Sequence, residues 1–207
     1  LKRMDEIKYP QWINNLIKKS ELELKRRGYS YKKPKDLAKA VKSLSDFYIA
    51  NPRAKTPWQE EYCQIAYLSY YHPLNSLRYL QVIRMMPKDF GFSEVIDIGS
   101  GLGALSEAFR FYNPAFKFQH VDQSKLALDL HQKLSISKDQ WHTHWNFNST
   151  VKALIALSYS FTENIEVQKI MEKADHLLVV DPSTKEDFSK LVKLRDHLIK
   201  EGFHILA

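Results

Sequence analysis

The chain has 207 residues, 44% hydrophobic and 27% charged, with a formal net charge of +7. Those values exclude a wholly disordered or collagen-like chain. A single cysteine, Cys63, excludes an intrachain disulfide and a thiolate metal cluster built by this chain alone. No run approaches the length of apolar residues needed to span a bilayer, and no signal-peptide core follows Leu1. The expected compartment is therefore reducing and intracellular, read as cytoplasmic, with no membrane partner.

The charge is unevenly placed. Residues 1–56 hold 15 Lys and Arg against 6 Asp and Glu, whereas residues 57–207 hold 16 against 18. An excess confined to the first quarter suits an arm that meets a polyanion, or a solvated Lys-rich helical surface. The last residues, Phe203 to Ala207, form an apolar run that reads as an interrupted strand, so the expectation is a piece of a longer protein.

In chain order, residues 1–90 read as helical. Trp12, Ile13, Leu16 and Ile17 recur at helical spacing, with Leu22 and Leu24 extending the stripe to Gly28. Leu37, Ala40, Val41, Leu44 and Tyr48 form a second stripe, ended by Asn51-Pro52. A third helix is expected from Trp58 to Tyr71 and a fourth from Asn75 to Met86, with Pro73 separating them. From Glu94 the texture alternates between strand and helix. Strands are expected at Val95–Ile98, Phe116–Val121, Trp141–Phe147, Leu154–Phe161 and Leu177–Val180. Helices are expected at Leu105–Phe111, Leu126–Leu134, Glu163–Lys173 and Phe188–Lys200, the last capped by Thr184 with Asp187. The alternation implies a mostly parallel sheet covered on both faces, hence an α/β fold behind an all-helical segment. The expected division is a basic helical region, 1–90, and a Rossmann-like domain, 91–207.

Three of the chain's six glycines fall within five residues, in Asp97-Ile98-Gly99-Ser100-Gly101-Leu102-Gly103. The stretch follows an expected strand and opens an expected helix, the context of a nucleotide-binding turn. Gly99, Gly101 and Ala104 formally satisfy the dinucleotide pattern. Asp97, two residues before the first glycine, points instead to S-adenosylmethionine, whose ammonium a carboxylate attracts and beside which a pyrophosphate would be repelled. Asp122 ends the next strand, placed to accept ribose hydroxyls, or else to cap a helix beside Ser124.

These residues resemble the first motif of class I S-adenosylmethionine-dependent methyltransferases. More closely, the chain is similar to the methyltransferase-like proteins associated with the mitochondrial small ribosomal subunit, and to their bacterial relatives. The likeness extends over roughly residues 60–207. It is carried also by Tyr67-Leu68 through Pro73 to Arg78, by Leu157-Ser158-Tyr159-Ser160-Phe161-Thr162-Glu163, and by Val179-Val180-Asp181-Pro182 with Phe188, Arg195, Leu198 and Gly202. This chain has Asp181-Pro182-Ser183 where that family usually shows Glu-Pro-Gly. The resemblance implies a class I sheet whose C-terminal strand is missing, S-adenosylmethionine as cofactor, and Asp97, Gly99, Ser100, Gly101, Gly103, Asp122, Gln123 and Ser158 as its site. It also implies ribosomal RNA or the small ribosomal subunit as partner, met through basic residues 1–56. In that family a cysteine-rich segment able to hold an iron–sulfur cluster follows the stretch ending at Ala207, so no cluster is assigned to this chain.

In such a fold the methyl group faces the end of the fourth strand. Ser158-Tyr159-Ser160-Phe161 lacks the Asp or Asn, Pro-Pro, aromatic arrangement of amino-group methyltransferases, and Cys63 reads as a core residue rather than a nucleophile. No catalytic residue is identifiable, although Tyr159 suits stacking on a base. His142 and His144 would share a strand face but lack further ligands, so no metal is assigned. Trp145 or Asn146 is expected near the adenine. A small-subunit assembly factor that transfers nothing, and an NAD-binding oxidoreductase, are the rival readings.

Overall fold

The computed structural model describes residues 11–52, 54–87, 89, 91–135, 139–144, 153–161, 170, 174–181 and 184–206. The helical half comprises α1 (Gln11–Arg26), α2 (Pro34–Ala50), α3 (Glu61–Ala66), a π-helical turn (Tyr67–Tyr71) and α4 (His72–Met85). The second half comprises β1 (Glu94–Ile98), α5 (Ala104–Tyr112), β2 (Lys117–Val121), α6 (Lys125–Leu134), β3 (Gln140–His142), β4 (Leu154–Ser158), β5 (His176–Val180) and α7 (Lys185–Lys200).

The five strands form one sheet in the order β3-β2-β1-β4-β5, every neighbouring pair parallel. This is the doubly wound arrangement expected from the alternation, and its order reverses between β1 and β4. Period-two alternation assigns the two faces. Val95, Phe118, Leu154, Ala156, Leu178 and Val180 meet Tyr79, Leu80 and Ile83 of α4 and Leu105 and Phe109 of α5. Ile96, Ile98, Val121, Ile155, Leu157, Leu177 and Val179 fill the opposite face with Ile170 and Ala174. Leu194 and Leu198 of α7 pack there too, against Phe161, Leu177 and Val179. A third cluster joins the two halves: Leu24, Leu37, Leu44 and Trp58 pack with Leu102 and with Ala127, Leu130 and Leu134 of α6.

Several elements differ from the sequence expectation. Leu22 is exposed on α1, while Ile13, Leu16, Ser20, Glu23 and Leu24 are buried. The third helix begins at Glu61, and Trp58 sits in the preceding turn. Pro73 does not separate two helices. It occupies the first turn of α4 directly after the π turn, where the His72 N–H reaches back five residues to Tyr67 O. The proline has no N–H to offer Ser69 O, four residues earlier. The Tyr31 hydroxyl donates to that carbonyl at 3.3 Å, so the chain runs on through the proline.

β3 is limited to Gln140–His142 and β4 ends at Ser158, short of Phe161, because Tyr159 takes a left-handed backbone angle, φ 55°. Residues 203–206 form no strand and pair with no ladder. The expected helix at Glu163–Lys173, apart from Ile170, and the expected adenine neighbours Trp145 and Asn146 lie outside the described residues. No helix among the described residues is long and apolar enough to cross a membrane.

Candidate active site

The carboxyl ends of β1, β2 and β4 open into a cavity of about 430 Å³ at the point where strand order reverses. Strand alternation puts Asp97 on the same face as Val95, under α4 and α5. Ser158, in step with Leu154 and Ala156, projects from β4 toward that face as well. Asp97, Gly99, Ser100, Gly101, Asp122, Gln123 and Ser158 all line the cavity. Gly103, the eighth residue expected there, does not. It is the left-handed N-cap of α5 (φ 76°), and a Cβ on it would lie 2.0 Å from the buried His131 ring.

Gly99 answers a different neighbour. With φ +76°, a Cβ there would fall 2.3 Å from Ser160 Cβ, and Ser160 in turn donates its hydroxyl to Ile98 O at 2.6 Å. The turn is stapled to β2. Gly99 N–H and Ser100 N–H both donate to Val121 O, at 2.8 and 3.1 Å, and Gly101 N–H donates to Asp122 Oδ2 at 2.9 Å. Asp122 Oδ1 accepts from Ser124 N–H at 2.8 Å, and Ser124, not Asp122, caps α6 by accepting from Ala127 N–H at 3.2 Å. Three successive amides of the glycine turn are therefore committed inside the protein. A pyrophosphate cradle needs such amides directed at its ligand.

Asp97 is buried at the cavity floor, and among the described residues neither of its carboxylate oxygens has a partner within hydrogen-bond geometry. Burial first, and the Asp122 carboxylate second, push its pKa from 3.8 to about 7, against the opposing pull of the nearby Ser158 hydroxyl. Asp122 is also shifted upward by burial, an effect opposed by its bonds from Ser124 and Gly101. A buried carboxyl without a partner carries a desolvation penalty that a cationic ligand group would offset.

The opposite wall comes from the helical half, which sequence reasoning left out of the site. Lys55, Thr56, Trp58, Gln59, Tyr67 and Tyr79 line it. Lys55 Nζ donates to Gln123 Oε1 at 2.6 Å across the cavity, and the Tyr48 and Thr56 hydroxyls pair at 2.8 Å beneath it. His72 also borders the cavity, buried and, among the described residues, without a side-chain hydrogen-bond partner, its pKa lowered by burial to about 3. Helical spacing that also marks a core face is the sequence signal for Tyr67 and Tyr79, whereas Lys55, Thr56, Trp58 and Gln59 lie in the connection between α2 and α3.

Cys63 lies in the core, its thiol pushed up to about 12 by burial, and is no nucleophile. His142 ends β3, and His144 lies beyond it with its Nδ1 3.1 Å from the Thr143 hydroxyl. Among the described residues no three His, Cys, Asp or Glu side chains converge as a metal site.

A family profile described as "Mitochondrial small ribosomal subunit Rsm22" matches residues 64–207, more than half of the chain. The chain belongs to the Rsm22 family. The match starts on α3, so the profile takes in the π turn and α4 together with the sheet. No curated protein matches the chain. Among solved structures, a candidate RNA methyltransferase from Pyrococcus horikoshii is 18% identical over 59% of this chain and 66% of its own, TM-score 0.43. Human N-acetylserotonin methyltransferase, solved with S-adenosylmethionine, is 16% identical over 76% of this chain and 52% of its own, TM-score 0.46. The plantazolicin methyltransferase BpumL, solved with S-adenosylhomocysteine, is 14% identical over 94% and 79%, TM-score 0.42. The Rsm22-family chain thus spans just under two thirds of the first structure and about half of the second.

Proposed function

We propose that the cavity binds S-adenosylmethionine and that the protein is a methyltransferase acting on ribosomal RNA of the small subunit. The observation that carries the cofactor reading is Asp97: a buried carboxyl, without a hydrogen-bond partner among the described residues, at the floor of a cavity bordered by a glycine turn. The residues present fit that ligand. Asp97 would take the ammonium, and Asp122, which keeps lone pairs beyond its two amide bonds, would take ribose hydroxyls. Gly99, Ser100, Gly101, Gln123 and Ser158 would enclose it, with Gly103 supporting the turn from behind. When bound, the cofactor supplies an electrophilic methyl group on a sulfonium. The protein's own contribution is to position the acceptor and exclude water, with Ser158 and Tyr159 at the end of β4. The committed glycine-turn amides and the acidic floor speak against NAD.

The RNA target rests on the family's description and on the basic first quarter of the chain. The same description favours the mitochondrial matrix over the cytoplasm. A small-subunit assembly factor without catalysis is the second reading, favoured by the Ser158-Tyr159-Ser160 strand end, which offers no acidic or amide acceptor.

Titration calorimetry with S-adenosylmethionine and with NAD tests the cofactor. Binding of the first and not the second is expected, lost in Asp97→Asn, and no binding at millimolar donor sinks the proposal. Transfer from labelled donor to small-subunit particles decides between enzyme and assembly factor, with Ser158→Ala and Tyr159→Phe expected to slow transfer while the cofactor still binds.

A further inference from the structure

A ladder of aromatic rings leaves the cavity for the surface. Trp58 lies 3.5 Å from where a Cβ on Gly101 would be. Its ring centroid is 4.4 Å from that of Tyr67, Tyr67 is 5.5 Å from Tyr71, and Tyr71 is 5.1 Å from Tyr70. Tyr70 is 47% exposed. Tyr71, Asn75 and Arg78 follow at spacings of four and three, so they share one helical face. Asn75 lies in the cavity wall and Arg78 is exposed. Arg78 Nη1 donates to Asn75 Oδ1 at 3.2 Å and to the Tyr159 hydroxyl at 3.5 Å. Both partners are neutral, and among the described residues no carboxylate pairs with this guanidinium. Tyr159, the acceptor of the longer bond, is the described non-glycine residue with positive φ, a strained conformation of the kind that clusters at functional sites.

Charge divides this surface in a useful way. The cavity interior holds the carboxyls of Asp97 and Asp122, with Lys55 tied to Gln123. A phosphate is repelled there, whereas an uncharged base is not. The uncancelled cation stands outside, held to Asn75 and Tyr159 of the cavity wall and about two helical turns along from the exposed Tyr70 ring. We propose that Tyr70, Tyr71, Asn75 and Arg78 form a platform for single-stranded RNA, on which a base stacks at the cavity mouth while its phosphate stays on Arg78. Stacking on aromatic faces beside a cation is how single strands are held without reading a duplex. The platform names the substrate end of the site proposed above and rests on that reading, but its RNA contact does not require bound cofactor.

The test uses fluorescence anisotropy of the whole protein with a short labelled single-stranded RNA over a salt series, and calorimetry with S-adenosylmethionine in parallel. Arg78→Gln should lower the slope of log affinity against log salt by about 0.7, one single-strand phosphate contact. Tyr70→Ala should weaken binding by about 5- to 150-fold without changing that slope, and Tyr70→Phe should restore it. Both side chains are exposed, so cofactor affinity should match the unaltered protein and certify the fold. Unchanged RNA affinity in Arg78→Gln and Tyr70→Ala overturns the platform. So does a loss confined to binding of small-subunit protein peptides, with RNA unaffected. If the RNA effects appear but the cofactor never binds, the platform stands and the methyltransferase reading falls.

Discussion

Asp97 is where the sequence motif and the folded site bear on each other most directly. Its folded pKa, about 7, lies above the ordinary 3.8, so folding penalises its ionised form. The sign follows from linkage: the stability associated with this proton is fully present below about pH 4 and is lost as pH rises through 7. Without cofactor, the thermal midpoint should therefore fall from about pH 4 to about pH 7 and level off above that, and Asp97→Asn should flatten the fall. A bound ammonium favours the ionised carboxylate, so stabilisation by S-adenosylmethionine should grow between about pH 6 and pH 7.5. Melting curves with and without the cofactor check both. A decline equally steep in Asp97→Asn would assign the pH dependence elsewhere. The identity of this residue was legible because D-x-G-x-G is a local pattern. Its neighbours were not: Ser160 against Gly99 and His131 behind Gly103 are contacts across sequence gaps that no spacing rule reaches.

At the scale of elements, legibility followed the same division. Helix starts with local chemistry were readable, as at Thr184, whose hydroxyl oxygen accepts from Asp187 N–H at 3.1 Å. The break expected at Pro73 failed for a tertiary reason, since a tyrosine 38 positions from Ser69 supplies the donor that proline lacks. Removing the Tyr31 hydroxyl leaves that carbonyl without its side-chain donor. Tyr31→Phe should thus cost about 1 kcal/mol in chemical denaturation, beyond what removal of an exposed hydroxyl costs, and Tyr70→Phe is the control. Equal midpoints for the two variants would mean that water serves Ser69 as well as Tyr31 does. The consequence is functional, because the π turn and α4 carry Tyr67, Asn75 and Tyr79 into the cavity wall.

On the scale of the whole molecule, the +9 excess in residues 1–56 is not one uniform basic arm. Lys25 pairs with Glu21, Arg26 and Arg27 pair with the buried Glu23, and Lys42 pairs with Asp46. Arg27 also donates to Gln64 at 2.6 Å, tying α1 to α3. Lys32, Lys33, Lys35 and Lys39 are exposed around the start of α2 and have no ion pair among the described residues. We propose that residues 1–90 and 91–207 differ in sequence character yet fold as one unit, because Leu24, Leu44 and Trp58 share a core with α6. A single calorimetric transition is expected, and two separated transitions would show independent domains.

Cations that hold the core together are poorly suited to releasing counterions on a phosphate backbone, and the free ones are well suited. Replacing Lys32, Lys33, Lys35 and Lys39 with Gln should therefore lower the salt slope of RNA binding by up to about 3, at roughly 0.7 for each single-strand phosphate contact. The thermal midpoint should barely move, since exposed unpaired lysines contribute little to stability. Arg27→Gln should do the opposite. It leaves the slope nearly intact but lowers stability, because Glu23 is buried and, among the described residues, keeps just the largely exposed Arg26 as a poorer partner. Salt titrations of RNA affinity run beside denaturation curves separate the two roles. If Arg27→Gln flattened the slope as much as the lysine replacement, the first quarter would act as an undifferentiated charge reservoir rather than as a paired scaffold carrying a short free cationic edge.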